Sequence, residues 1–430
     1  MLVLAAVAFF ALAWHPSIDP ALPPVPGAFD ASVVRRGEQL AAIGNCAGCH
    51  TAPHGRPFAG GTALATPFGT IYGANITPEP HTGLGRWSEA AFRRALREGV
   101  SRDGHLLYPA FPYDHFTHLA DADIAALYAF VMTRDAVAFD PPANRLAFPL
   151  GFRPLIAGWN LLFLDPGPLP AQAAQSAEWN HGAYLAAALA HCSACHAPRN
   201  ALGAEKRGLP FAGGVADGWQ ATALDAHSPS PVPWNTAALA SYLRTGLAAD
   251  HAIAAGPMQD VVHSLSQVPE ADLHAIAVYM QSQGGPSTPE RQARESAARQ
   301  KAAQPALAAL VRTARAAAPD AALMALGARV YADSCASCHD AGRQLSSSGA
   351  LRLPLAVALH LPDPRNLIHI VRQGIQPPLG QPGRWMPPFE GTLSDEQITA
   401  LVAWLRRQAT DEAPWPDLAR TVQDTRTPSP

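Results

Sequence analysis

The sequence is poor in charge. Only 15% of its 430 residues are Asp, Glu, Lys or Arg, and the formal charge is -3. No basic block marks a nucleic-acid surface, and no long acidic run marks a solvating tail. No catalytic acid–base pair or nucleotide-binding glycine loop stands out. Long apolar runs are also scarce. The N-terminal "MLVLAAVAFFALAW" is apolar for 14 residues, about 21 Å as a helix and short of a ~30 Å hydrocarbon core. Residues 1–29 are therefore expected to be an export signal or an incomplete anchor plus a linker. Spare cysteine is absent too: all six fall into one repeated pattern, leaving none for a structural disulfide.

That pattern is Cys46-Ala-Gly-Cys49-His50, Cys192-Ser-Ala-Cys195-His196 and Cys335-Ala-Ser-Cys338-His339. Two thiols three positions apart, followed by histidine, suit covalent haem c attachment. Each thiol bonds one vinyl group, and the histidine binds iron. A thioredoxin-like thiol pair would not need the histidine three times, and paired zinc half-sites would come in even number. The expected cofactors are three haem c groups, with His50, His196 and His339 as proximal ligands. Haem c is attached outside the cytoplasm in bacteria, so the expected location is the periplasmic face of the cytoplasmic membrane.

The rest of the chain repeats with these motifs. Each is followed by a helical pattern with an acidic start: "LADADIAALYAFVM" (119–132), "VPEADLHAIAVYM" (268–280) and "LSDEQITALVAWLRR" (393–407). Acidic residues suit a helix N-terminus, and the apolar spacing is helical. Each motif is preceded by a helix carrying Gly37, Gly182 or Gly327. Each such helix is expected to cross its partner at that glycine, with Tyr128, Tyr279 or Trp404 alongside. This resembles a class I cytochrome c domain three times over. The expected fold is mostly α, three tandem domains with long irregular loops, to which the 33 Gly and 42 Pro contribute. The boundaries are 30–140, 176–285 and 321–409. The linkers are 141–175, apolar but interrupted by Arg153, Pro154 and Gly158, and an Ala-rich, partly helical 286–320. A disordered tail is expected at 410–430.

A second axial ligand is needed for simple electron transfer, and methionine raises the potential. Met258 and Met386 each precede the last helix of a repeat, in Pro- or Gly-containing loops, and are the expected ligands. Met132, Met280 and Met324 lie in helical patterns and read as core. In the first repeat "LYPAFPYDHF" holds Phe111 and no methionine. His105, His115 and His118 compete there, with His115 preferred and an open iron as the alternative.

The motifs Asn75-Ile76-Thr77-Pro78, Thr82-Gly83-Leu84-Gly85-x-Trp87 and Tyr108-Pro109-Ala110-x-Pro112-Tyr113 resemble the tri-haem cytochrome c subunits of membrane-bound bacterial dehydrogenases, over residues ~30 to 410. The resemblance implies electron transfer from a catalytic partner towards ubiquinone or a terminal oxidase. In the alcohol (quinoprotein) and gluconate (flavin) branches the position of Phe111 carries methionine. "YPAFPY" looks more like the branch serving molybdenum hydroxylases, which implies a molybdenum/iron–sulfur partner. The rival reading is a peroxidase-like haem enzyme with an open first iron.

Overall fold

A computed structural model describes residues 9–25, 27–303, 321–340, 351–376 and 385–426. By internal packing the chain divides into two compact units. The first comprises Met1–Ala194, Arg199–Pro210 and Ser264–Tyr279, and the second Cys195–Pro198, Phe211–His263 and Met280–Pro430. The second repeat thus contributes segments to both.

In the first unit, the opening helix Ala31–Ile43 starts at Asp30, whose carboxylate accepts the Ser32 amide. This occupies one of the donors a helix start leaves unpaired. The helix buries Gly37, Leu40, Ala41 and Ile43 against the closing helix Asp121–Met132. The crossing is at Gly37, where a side chain would collide with the Ala126 carbonyl and lie 2.7 Å from the Phe130 Cβ. The second repeat does the same inside this unit. Its opening helix Ala177–Ala183, continued as a π-helix Tyr184–Leu189, places Gly182 against the Ala275 carbonyl, where an added Cβ would collide with that carbonyl and lie 3.0 Å from the Tyr279 Cβ. In the second unit Gly327, in the opening helix Ala321–Ser334, lies so close to the Ala400 carbonyl that an added Cβ would collide with it and come within 2.6 Å of the Trp404 Cβ.

The expected aromatic partners hold for Tyr279 and Trp404 and are corrected in the first repeat. Phe130, not Tyr128, lies four residues past the contacted alanine, as Tyr279 and Trp404 do. Tyr128 points elsewhere, donating to the Trp87 carbonyl at 2.8 Å and packing edge-on to Phe29.

Between the helix pairs each repeat carries a middle helix: Glu89–Glu98, Thr236–Thr245 and Arg365–Gln373. Each ends on a glycine with positive φ: Gly99 (+64°), Gly246 (+73°) and Gly374 (+69°). Glycine takes this conformation without the steric cost of a Cβ. Two residues earlier stands an arginine. Arg97 donates to the Leu119 carbonyl (2.7 Å) and Asp121 (2.9 Å). Buried Arg372 is held by Glu390 (2.7 Å) and Asp395 (2.7 Å). Both arginines pin the acidic first turn of a closing helix to the end of a middle helix.

Segment 141–175 packs on the first unit. Arg145–Leu146 adds a strand to the hairpin Ala63–Thr66/Gly69–Tyr72. Helix Leu155–Phe163 is tied by Tyr113 Oη donating to Asn160 at 2.6 Å. No helix among the described residues is long and apolar enough to cross a membrane. Within linker 286–320 lies the helix Pro289–Ala303, and 304–320 falls outside the described residues.

The expectation of a disordered tail is corrected. Leu418–Asp424 is helical, with Trp415 and Val422 buried. Trp415 donates to the Leu361 carbonyl at 2.9 Å, beneath the Arg406 guanidinium. Trp415, just before the helix, and Leu418 and Val422 within it share one buried apolar cluster, a signal hidden by the surrounding Pro and Asp.

The crossings generate a prediction. Gly37→Ala should destabilise the holoprotein by about 1–3 kcal/mol through overpacking, read as a lower Tm by calorimetry. Gly158→Ala, in helix Leu155–Phe163 with open space around it, should gain up to about 1 kcal/mol from helix propensity. Equal effects from the two would refute the close approach at Gly37.

Candidate haem sites

The three Cys-x-x-Cys-His segments lie on short helical turns, at Cys46–His50, Ser193–His196 and Ala336–His339. None of the six thiols forms a disulfide. Burial pushes the Cys46 and Cys335 thiols up to about 12.

Each histidine is prepared as a neutral ligand. His50 Nδ1 donates to the Ala74 carbonyl at 2.6 Å, and His196 Nδ1 to the Thr222 carbonyl at 2.7 Å. That bond fixes the tautomer and leaves Nε2 as the nitrogen that would bind a haem iron. Burial lowers the pKa of both, partly offset by those carbonyls. His339 is lowered by burial as well. Its Nδ1 is buried without a well-formed hydrogen bond, although the Leu351 backbone still acts on it.

The loop after the motif is built alike in the first two repeats. Pro57-Phe58-Ala59-Gly60-Gly61 recurs as Pro210-Phe211-Ala212-Gly213-Gly214. Gly60 and Gly213 each donate to the carbonyl of the motif histidine at 2.7 Å. Gly73 and Gly214 run so close to the Cys49 and Cys195 carbonyls that neither admits a Cβ. These hairpins bring Ala74 and Thr222 to the histidines. The Pro-Phe-Ala-Gly-Gly repeat was the available sequence signal for them.

The distal side shows a common register. Phe111, Met258 and Met386 each stand twelve residues beyond the glycine that ends a middle helix, within Arg97-x-Gly99, Arg244-x-Gly246 and Arg372-x-Gly374. Met386 is clamped by two backbone hydrogen bonds to Ile375, of 3.0 and 2.9 Å. Met258 lies in the first turn of helix Pro257–Leu265, not in a loop as expected. It follows Gly256, which packs on the Trp219 ring.

His115 is corrected. Both its ring nitrogens are engaged, Nδ1 with the Ala187 carbonyl at 2.8 Å and Nε2 with Glu205 at 2.7 Å. Burial alone would lower the His115 pKa. The Glu205 bond and the charges of Asp114 and Glu205 outweigh it, so the net shift is upward. Burial raises Glu205, but the His115 bond carries it below the usual range. The result is a buried ion pair rather than an iron ligand. The other candidates are held through one nitrogen each: His118 Nδ1 by the Gly167 carbonyl at 2.5 Å, and His105 Nδ1 by Asp103 at 2.6 Å.

This donor chemistry fits a covalent haem: paired thiols outside any disulfide, imidazoles anchored to carbonyls in the first two repeats, and thioethers in register in the last two. The chain is built from cytochrome c domains. A family model described as cytochrome c matches residues 34–135, and one described as cytochrome c oxidase, cbb3-type, subunit III matches 322–405. Across 94% of its length the chain is 36% identical to the gluconate 2-dehydrogenase cytochrome c subunit of Pantoea cypripedii, covering 89% of that protein. It is 33% identical to the alcohol dehydrogenase (quinone) cytochrome c subunit of Gluconobacter oxydans, over 93% of this chain and 83% of that one. It is 44% identical to a nicotinate dehydrogenase subunit of Pseudomonas putida over 97% of this chain, spanning only 34% of that longer relative. The chain belongs to the family of dehydrogenase cytochrome c subunits.

Two predictions follow from the distal geometry. Met258→Ala and Met386→Ala should each lower one haem potential and remove part of the weak sulfur-to-iron charge-transfer absorption. Unchanged absorption in both would refute the register. His115→Ala should leave the haem spectrum unaltered but cost about 3 kcal/mol, because Glu205 stays buried without its charge partner. The pH dependence has a definite sign. The raised His115 contributes stability below its ordinary pKa of about 6.5, lost as pH rises through its folded value. The lowered Glu205 contributes above about 4.3, lost as pH falls through its folded value. Denaturation across pH should show this stabilisation peaking between those limits in wild type and flattened in His115→Ala.

Proposed function

We propose that the chain is a multi-haem electron-transfer subunit that takes electrons from a partner dehydrogenase and delivers them to the respiratory chain. The observation that carries this is the match along nearly the whole chain to cytochrome c subunits of two dehydrogenases, together with motif histidines held neutral and oriented. A haem bound at such a motif supplies reversible one-electron chemistry at its iron. The chain's own residues do the rest. Ala74 and Thr222 hold the His50 and His196 rings and raise their basicity. Met258 and Met386 set a higher potential than an imidazole in the same place would.

The finer reading is three covalent haems, on Cys46/Cys49, Cys192/Cys195 and Cys335/Cys338. The partner is a molybdenum/iron–sulfur dehydrogenase, supported by the 44% identity to a nicotinate dehydrogenase subunit and by Phe111 in place of methionine. The acceptor is ubiquinone or a terminal oxidase. The location is the periplasmic face of the cytoplasmic membrane, supported by the apolar N-terminal run and by where bacteria attach haem c. A quinoprotein alcohol or flavin gluconate-type partner is the alternative, supported by the lower identities to those subunits.

The test joins stoichiometry to reduction. Pyridine haemochrome assay of the mature protein should return three haems per chain. The chain should co-purify from membranes with a dehydrogenase and be reduced only when that enzyme has its substrate. Two haems or fewer would refute the tri-haem reading. A lone protein reduced directly by small organic substrates would refute the subunit reading.

A further inference from the structure

The first repeat keeps the frame of the other two but changes what the frame presents. Its middle helix ends at Gly99 with φ +64°, as the others end at Gly246 and Gly374. Twelve residues on, where those repeats carry Met258 and Met386, it carries Phe111. A phenyl ring has no lone pair for iron. No methionine lies between His50 and Met132, and Met132 is buried in the closing helix.

His115 does not replace it. His115 has both nitrogens committed, to the Ala187 carbonyl and Glu205. His118 and His105 are tied through Nδ1 alone, to the Gly167 carbonyl and to Asp103. The surroundings of Phe111 are apolar: its ring packs 5.5 Å from Phe116 and 6.4 Å from Tyr113. Tyr113 is fully buried, and its hydroxyl is spent on Asn160 at 2.6 Å. The donors named here are thus already satisfied, which disfavours a charged or peroxidic ligand needing hydrogen bonds.

We propose that the first haem position has no sixth ligand from this chain and binds small neutral diatomic molecules to ferrous iron behind Phe111. The inference rests on the proposed haem at Cys46 and Cys49. It gives the first repeat a ligand-binding role that the Met258 and Met386 repeats lack. Binding is a reversible donation of the ligand's lone pair to iron, with no net redox step.

The probe is carbon monoxide on the full-length, dithionite-reduced holoprotein. Peptide mass spectrometry first establishes haem on Cys46 and Cys49; its absence would overturn the haem reading there and this inference with it. With that haem present, one carbon monoxide should bind per chain, and the oxidised protein should show one high-spin component by electron paramagnetic resonance. Phe111→Met should weaken carbon monoxide binding at least tenfold and raise the sulfur-to-iron absorption from two haems' worth to three. His115→Ala should leave the high-spin signal in place. An all-low-spin wild type that binds no carbon monoxide would overturn the proposal while leaving the electron-transfer reading intact. So would carbon monoxide binding indifferent to Phe111→Met, or a wild-type bis-histidine signal lost in His115→Ala.

Discussion

Everything in these repeats depends on one contact: a glycine of the opening helix against a carbonyl of the closing helix. At Gly37, Gly182 and Gly327 the two backbones come closer than any side chain allows. Dense packing then follows, because an aromatic one turn further on the closing helix covers the crossing: Phe130, Tyr279 and Trp404. The Cys-x-x-Cys-His turn begins eight to ten residues beyond each glycine. Its place relative to the closing helix is therefore set by the crossing. Haem attachment needs two thiols and an imidazole in fixed relation, and this contact supplies the base from which they project.

A second constraint fixes the far side. In the first and third repeats the arginine of the Arg-x-Gly clamp reaches the acidic first turn of a closing helix, Arg97 to Asp121 and Arg372 to Asp395. Carboxylates at a helix N-terminus are favoured by the helix dipole, and the guanidinium adds charge-assisted bonds. The glycine then turns the chain through positive φ. The segment carrying position twelve leaves from a rigid point.

Much of this was legible in the sequence, for physical reasons. The haem motifs and crossing glycines were readable because each residue type is nearly the sole solution to its task. The acidic helix starts were readable because the dipole rewards them. What stayed hidden depended on pairing across distance. Tyr128 and Phe130 are both aromatic in one helix, and only the partner helix decides which faces it. The Ala74 and Thr222 carbonyls have no side-chain signature, though the repeated Pro-Phe-Ala-Gly-Gly marks the turn that delivers them. His115 resembles a ligand in a local reading because Glu205, ninety residues away, is invisible there. Composition misreads the tail because it weighs every residue alike, whereas Trp415, Leu418 and Val422 pack together in one buried cluster.

The separation of frame from ligand explains how the first repeat tolerates Phe111. Arg97, Gly99 and Asp121 hold the loop without any help from iron. The ring of Phe111 is stabilised by Phe116 and Tyr113 rather than by a metal bond. A buried ligand lost from a site that depended on it would leave a cavity or an unpaired polar group, and either is costly. Here the replacement is apolar and packed, and the histidines around it are bonded to carbonyls and carboxylates. The repeat therefore folds on the same helix crossing as its neighbours while carrying a phenyl ring where they carry a thioether.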